Sequence, residues 1–102
     1  DEKILKRAVS HQPVSVAIQA NQPSFQQYSS GIYSDENCGT QLDHGVLVVG
    51  YGYDMFHRMD YWIVKNSWGP DWGEDGYIRI QRNVDDTRGL CGIAMIPSIP
   101  IY

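Results

Sequence analysis

Apolar residues recur along this chain in two periods, and those periods assign its elements. Over residues 2–11, Ile4, Leu5, Ala8 and Val9 fall at helical spacing, and Gln12-Pro13 ends the pattern because proline cannot extend a helix. From 14 to 19, Val14, Val16 and Ile18 share one parity, which predicts a strand with one buried face. Asn21-Gln22-Pro23 then predicts a turn, residues 24–30 a brief helical turn before Gly31, and Ile32-Tyr33 a short extended piece. The strongest strand is 45–53, where Val46, Leu47, Val48 and Val49 form an apolar run closed by Gly50-Tyr51-Gly52, so a central place in a sheet is expected. Residues 60–66, holding Tyr61-Trp62-Ile63-Val64, and residues 76–82, holding Tyr77, Ile78 and Ile80, predict two further strands. The stretch 54–59 has no period and reads as the hairpin loop between the first two. The tail, 91–102, contains Pro97 and Pro100 and is expected to be extended or an edge strand, since proline has no amide hydrogen for a central ladder.

These elements add up to an α+β unit: an antiparallel sheet with a short N-terminal helix and long irregular connections. No repeat or internal boundary divides residues 1–102. With 102 residues, 42% of them hydrophobic, the chain suffices for one small domain with a thin core. The helix and the exposed side of the sheet are therefore expected to meet another piece of protein. A net charge of -4 argues against nucleic acid and against a polybasic membrane surface. No apolar run is long enough to span a bilayer. The start, Asp1-Glu2-Lys3, carries neither an initiator methionine nor a signal peptide, and is expected to be a processed or cut end. The two cysteines, Cys38 and Cys91, are consistent with one bridge or with two free buried thiols. A bridge would imply an oxidising compartment, secreted, vacuolar or lysosomal.

Two residues carry candidate chemistry. His44 stands at the start of the most hydrophobic strand, where its ring would be held at the rim within reach of a substrate. Imidazole is suited to general-base work because its ordinary titration lies close to working pH. Asn66 ends the neighbouring strand, and an antiparallel hairpin brings the start of one strand beside the end of the other. An asparagine carbonyl accepting from one imidazole nitrogen would fix the ring and its tautomer without adding charge. Trp68, two residues later, would shield that bond. A lone histidine beside a strand is more often structural, and Asn-Ser more often a turn former, so the wider frame has to decide. Zinc is disfavoured, because His11, His44, His57 and the acidic residues form neither an HExxH nor a paired CxxC pattern.

That frame is Cys38-Gly39-Thr40-Gln41-Leu42-Asp43-His44-Gly45, Val49-Gly50-Tyr51-Gly52, Tyr61-Trp62-Ile63-Val64-Lys65-Asn66-Ser67-Trp68-Gly69, Trp72-Gly73-Glu74, Gly76-Tyr77 and Cys91-Gly92-Ile93-Ala94-Met95. It resembles the C-terminal, β-rich and barrel-like half of the papain-like cysteine proteases. Gln12-Pro13-Val14-Ser15-Val16-Ala17-Ile18 and Ala94-Met95-Ile96-Pro97-Ser98 look most like plant members. The resemblance implies that His44 is the catalytic histidine, paired with a cysteine thiolate, and that Asn66 orients it. It further implies that Trp68 covers their hydrogen bond, that Trp72 lines the leaving-group side of the cleft, and that Cys38 and Cys91 are bridged. Ala17, Leu42, Gly45 and Ile96 fall at positions that surround the pocket for the substrate side chain two residues before the scissile bond. Ile96 stands where relatives can carry a carboxylate that admits arginine, so Val, Leu or Phe is the expected preference.

The nucleophilic cysteine, the oxyanion-binding glutamine and the thiol-activating helix belong to the family's N-terminal half, which these residues do not include. The implied partners are that half, peptide or protein substrates, a propeptide and cystatin-like inhibitors; no cofactor is implied. Residues 54–59 depart from the family's brief hairpin. A pseudoenzyme of the same fold, storing nitrogen or binding peptides, would leave the same residues in this chain. An autonomous binding or inhibitory domain is disfavoured, because the Asn66-Ser67-Trp68 frame has no evident use without a cysteine beside it.

Overall fold

The structure, a computed structural model, describes residues 1–98. Helix α1, Glu2–Val9, is capped by Asp1, whose carboxylate accepts from the Ile4 amide at 3.0 Å, and carries Lys6 and Arg7 in its last turn, where cations suit the helix dipole. It stops at Val9 rather than His11, and Leu5 and Val9 are buried as the apolar spacing predicts. A shorter helix, α2, spans Pro23–Gln26, with the proline at its start. Among the described residues no helix is long and apolar enough to cross a membrane.

Five strands form one sheet: β1 Val14–Ile18, β2 Ile32–Tyr33, β3 His44–Asp54, β4 Met59–Lys65 and β5 Tyr77–Gln81, in the spatial order β1-β3-β4-β5-β2. The three strongest predicted strands occupy the three interior positions. The expected antiparallel pairing holds from β1 through β5, but β2 adds parallel to β5, Ile32 opposite Arg79, so the sheet is mixed. A two-residue strand reached through a long connection has no hairpin to fix its direction, which is why alternation did not reveal it.

Strand β3 carries one extra residue against β4: Val48 pairs with Val64, but Gly50 pairs with Ile63. The slip moves the core-facing row from Val46 and Val48 to Tyr51, which meets Trp62 edge-on. One face thus buries Val14, Val16, Ile18, Val46, Val48, Trp62, Val64, Ile78 and Ile80 against Leu5, Val9, Phe25 and Ile93. Leu47, Ile63 and Tyr61 on the other face stay only partly covered.

The tail corrects an expectation. Instead of running extended, Leu90–Gly92 forms a 3-10 turn followed by further turns, and only Ser98 bridges back to Ser15 as an edge contact. Gly89, Cys91 and Gly92 all have positive φ, and the Cys38–Cys91 disulfide pulls the segment inward. The remainder of the predicted tail, 99–102, lies outside the described residues.

Candidate active site

Sheet register places the two chemical residues. His44 opens β3 opposite Ile18, and Asn66 follows β4 directly, so both lie at one end of the sheet. His44 shares parity with Val46 and Val48, and Asn66 with Trp62 and Val64, so both side chains continue the core-facing row where the core runs out. The Asp43 amide donates to the Ile18 carbonyl at 2.9 Å, and the Asp43 carboxylate accepts from the Ala20 amide at 2.8 Å, which pins the segment entering His44. The Asn66 amide donates to Gly76 at 3.1 Å and pins the other segment.

The His44 ring meets Asn66 through Nε2 and Oδ1 at 2.6 Å. The same Oδ1 accepts from the Ser67 backbone amide at 2.8 Å. A backbone amide can only donate, so that atom is the carbonyl oxygen, and the amide orientation is fixed by its neighbour. An oxygen acceptor requires the proton on Nε2. In the neutral ring the lone pair then sits on Nδ1, free of Asn66. Asn66 is buried, and its Nδ2 has no partner among the described residues.

Trp68 stacks on His44, centroids 4.9 Å apart and planes 28° apart, and so covers the ring and its bond to Asn66. Trp72 stands edge-on to Trp68 at 5.2 Å and donates from Nε1 to the Gln26 carbonyl at 3.0 Å. Both tryptophans rest on Phe25, which is fully buried at 5.7 Å and 5.4 Å from them. Sequence reading missed Phe25, because one aromatic residue in a four-residue helix gives no periodic signal.

The loop that carries Trp72 is held by Glu74. Its carboxylate accepts from Arg79 Nε at 2.9 Å, from Arg79 Nη2 at 3.0 Å and from the Gly31 amide at 3.1 Å. Hydrogen bonding by the Arg79 guanidinium holds the Glu74 carboxyl below its ordinary value and raises that of Arg79. Gly73, at φ +62, is required here: a Cβ would lie 2.5 Å from the Tyr77 carbonyl oxygen.

The four candidate pocket residues are placed in two groups. Ala17 and Gly45 are directly opposed across β1 and β3. Ile96, 59% exposed, lies in the bend two residues before Ser98, which bridges to Ser15 beside Ala17. Leu42 packs instead over Gly92 and beside Met95: a Cβ on Gly92 would lie 2.8 Å from Leu42 Cδ2 and 2.9 Å from Met95 Sδ. Next to Asn66 an open depression is lined by Ser15, Gly45, Leu47, Lys65 and Ser67. A larger concavity, walled by Glu36, Thr40, Asp85, Asp86 and Arg88, includes neither His44 nor Asn66. His44 and Asn66 therefore stand on an open rim, an arrangement that can take and return a proton at Nδ1 but holds no nucleophile. Cys38 and Cys91 are bridged, and the chain has no other cysteine. Among the described residues no group of three His, Cys, Asp or Glu side chains is arranged to hold a metal.

Residues 1–101 match the family model of the papain family cysteine proteases. The oryzain beta chain of Oryza sativa subsp. japonica is 61% identical over 98% of this chain, and the cysteine proteinase RD21A of Arabidopsis thaliana is 58% identical over the same share. In each case the chain spans only 21% of the relative's length. Among solved structures, the bromelain protease of Ananas comosus in complex with the E64 inhibitor superposes with a TM-score of 0.88 at 48% identity, over 98% of this chain and 46% of that one. Sequence and fold agree: the chain belongs to the papain family of cysteine proteases.

Proposed function

We propose that residues 1–102 are the C-terminal, β-rich half of a cysteine endopeptidase, supplying base and orienting amide to a thiol carried by polypeptide outside them. The observation that carries this reading is the Nε2–Oδ1 contact of 2.6 Å under the Trp68 ring, which leaves Nδ1 open at the rim. Nδ1 takes the thiol proton, giving thiolate and imidazolium. The thiolate adds to the scissile carbonyl; when the intermediate collapses the C–N bond breaks, and the Nδ1 proton passes to the departing amine. Water then attacks the thioester while Nδ1 accepts its proton, and the acid and thiol are released. Asn66 keeps Nε2–H engaged throughout, so the ring presents the same edge at each step.

The same reading makes Trp72 a wall on the leaving-group side, and Ala17, Leu42, Gly45 and Ile96 the apolar surround of the pocket two residues before the scissile bond. It favours peptides with Val, Leu or Phe there. The disulfide supports an oxidising setting, secreted, vacuolar or lysosomal. A propeptide and cystatin-like inhibitors are partners of the same cleft. The pseudoenzyme reading is less favoured, since several relatives similar to this chain are called cysteine proteases or proteinases.

The test is thiol labelling of the complete protein with an epoxide reagent, read by peptide mapping and residual peptidase activity, alongside the His44→Ala variant. One thiol outside residues 1–102 should label stoichiometrically with loss of activity, and His44→Ala should abolish both fast labelling and turnover. A complete protein with no reactive thiol would overturn the proposal.

A further inference from the structure

Gln19 follows β1 and is a buried polar side chain, 8% exposed, that none of the chemistry above uses. Three of its hydrogen-bonding groups are engaged. Its backbone amide donates to the Cys91 carbonyl at 2.9 Å, its Nε2 donates to Asn21 Oδ1 at 2.8 Å, and its Oε1 accepts from the Gln41 amide at 2.7 Å. Gln41 N–H is an unambiguous donor, so the atom facing it is the oxygen. Gly39 sits directly above, at φ +78, where a Cβ would lie 2.4 Å from Oε1. The side chain thus lies flat beneath residues 39–41 and fills the space that a larger residue at 39 would need.

Those residues lie midway along the segment from Cys38 to His44. The disulfide fixes one end of it, and the Asp43 contacts with Ile18 and Ala20 fix the other. Between these anchors the segment has the Gln41 N–H bond to Gln19 and one exposed contact, Arg88 Nη1 to Thr40 Oγ1 at 3.2 Å. Leu42 is the next residue, packed over Gly92, while Gln19 also grips Cys91 on the other side of that contact. Residue 19 therefore lies between the two: its backbone amide holds the 91–95 turn through Cys91, and its side chain alone holds Gln41, and with it the Leu42 side of that spacing.

We propose that Gln19 is a specificity-positioning residue: through the Gln41 amide it holds Leu42 as a wall of the substrate pocket. This rests on the pocket reading given above. The residue touches no substrate, and it is separate from the oxyanion glutamine, which lies outside this chain.

The complete protein carrying Gln19→Leu keeps the volume but loses the acceptor. Its KM for a peptide with Leu two residues before the scissile bond should rise about tenfold, the scale of one buried hydrogen bond. Its kcat, and both constants for the matching Ala peptide, should stay within about twofold. Gln19→Glu should restore the wild-type ratio, because a carboxylate oxygen still accepts from Gln41 and the exposed Asn21 amide can turn to donate. If Gln19→Leu does not fold, Gln41→Pro removes the same bond from the donor side and should give the same KM shift. Equal loss of kcat on both peptides, no change at all, or failure of Glu to rescue would each overturn the proposal. Hydrogen exchange of the Gln41 amide gives a readout independent of peptidase activity: slow in wild type and Gln19→Glu, fast in Gln19→Leu. If the wild-type protein cleaves nothing, the functional reading falls, while that exchange rate still decides whether Gln19 holds the loop.

Discussion

Asn66 Oδ1 serves two donors at once, the Ser67 amide and His44 Nε2, and this double use ties the imidazole tautomer to the backbone. Removing it leaves the ring free to turn under Trp68 and to present either nitrogen at the rim. Asn66→Ala in the complete protein should therefore lower kcat by roughly ten- to a hundredfold, the range seen when an orienting partner of a histidine is lost. KM should change little, since Asn66 is buried away from substrate, and steady-state kinetics separate the two; a change confined to KM would mean that Asn66 contacts substrate instead. His44 and Asn66 were legible as a pair because a hairpin joins their strands and the motif around each is distinctive. Glu2 was not. Polar spacing puts it on the outer start of α1, yet it is buried and its carboxylate accepts from Trp62 Nε1 and from the Asn83 and Val84 amides. Those three donors lie 60 or more positions away in sequence, and no local pattern announces them.

Among the elements, the 69–76 loop illustrates how Trp72 is fastened. Glu74 joins it to β5 through Arg79 and to the approach of β2 through Gly31. The Glu74 carboxyl titrates below its ordinary value near 4.5 in the folded state. Its contribution is therefore fully present above that ordinary value and is lost as pH falls through the lower, folded one. Glu74→Gln should cost about 1 kcal/mol at pH 7, a partly exposed ion pair being worth no more. Urea midpoints of wild type and variant should converge as the pH drops toward 3. A gap that persists there would mean that Glu74 stabilises through packing rather than charge. The pair remains intact at mildly acidic pH. The strands were legible because their alternation is clean, and Ile32-Tyr33 was legible as an extended piece, whereas the parallel direction of β2 and the 90–96 turns were not. Two residues are too few for a period, and the turns depend on positive φ at Cys91, where sequence favours no such conformation.

At the scale of the whole molecule, one core spans nearly every element, and the disulfide ties its two least regular parts, the 36–38 turn and the 90–92 turn, together. Cys38 and Cys91 are both essentially buried, so the bridge belongs to the core and is not a surface staple. The bridge closes a loop of 53 positions, which in the chain-entropy picture removes about 4 kcal/mol of denatured-state freedom. Domains of this size are stable by only about 5–15 kcal/mol, so that single constraint is a large share of the total. Replacing both cysteines by serine should lower Tm by about 20 °C, and dithiothreitol should do the same to the wild-type protein once the buried bridge has opened. The gap should be larger for residues 1–102 alone than for the complete protein. On the proposed reading, polypeptide outside residues 1–102 packs against this unit, covering Leu47, Ile63 and Tyr61 on the half-covered face and His44 at the open end of the core-facing row. Calorimetry on both forms checks this: equal Tm losses would mean that the two halves contribute to stability independently, and that the face bearing His44 is not one side of an interdomain cleft.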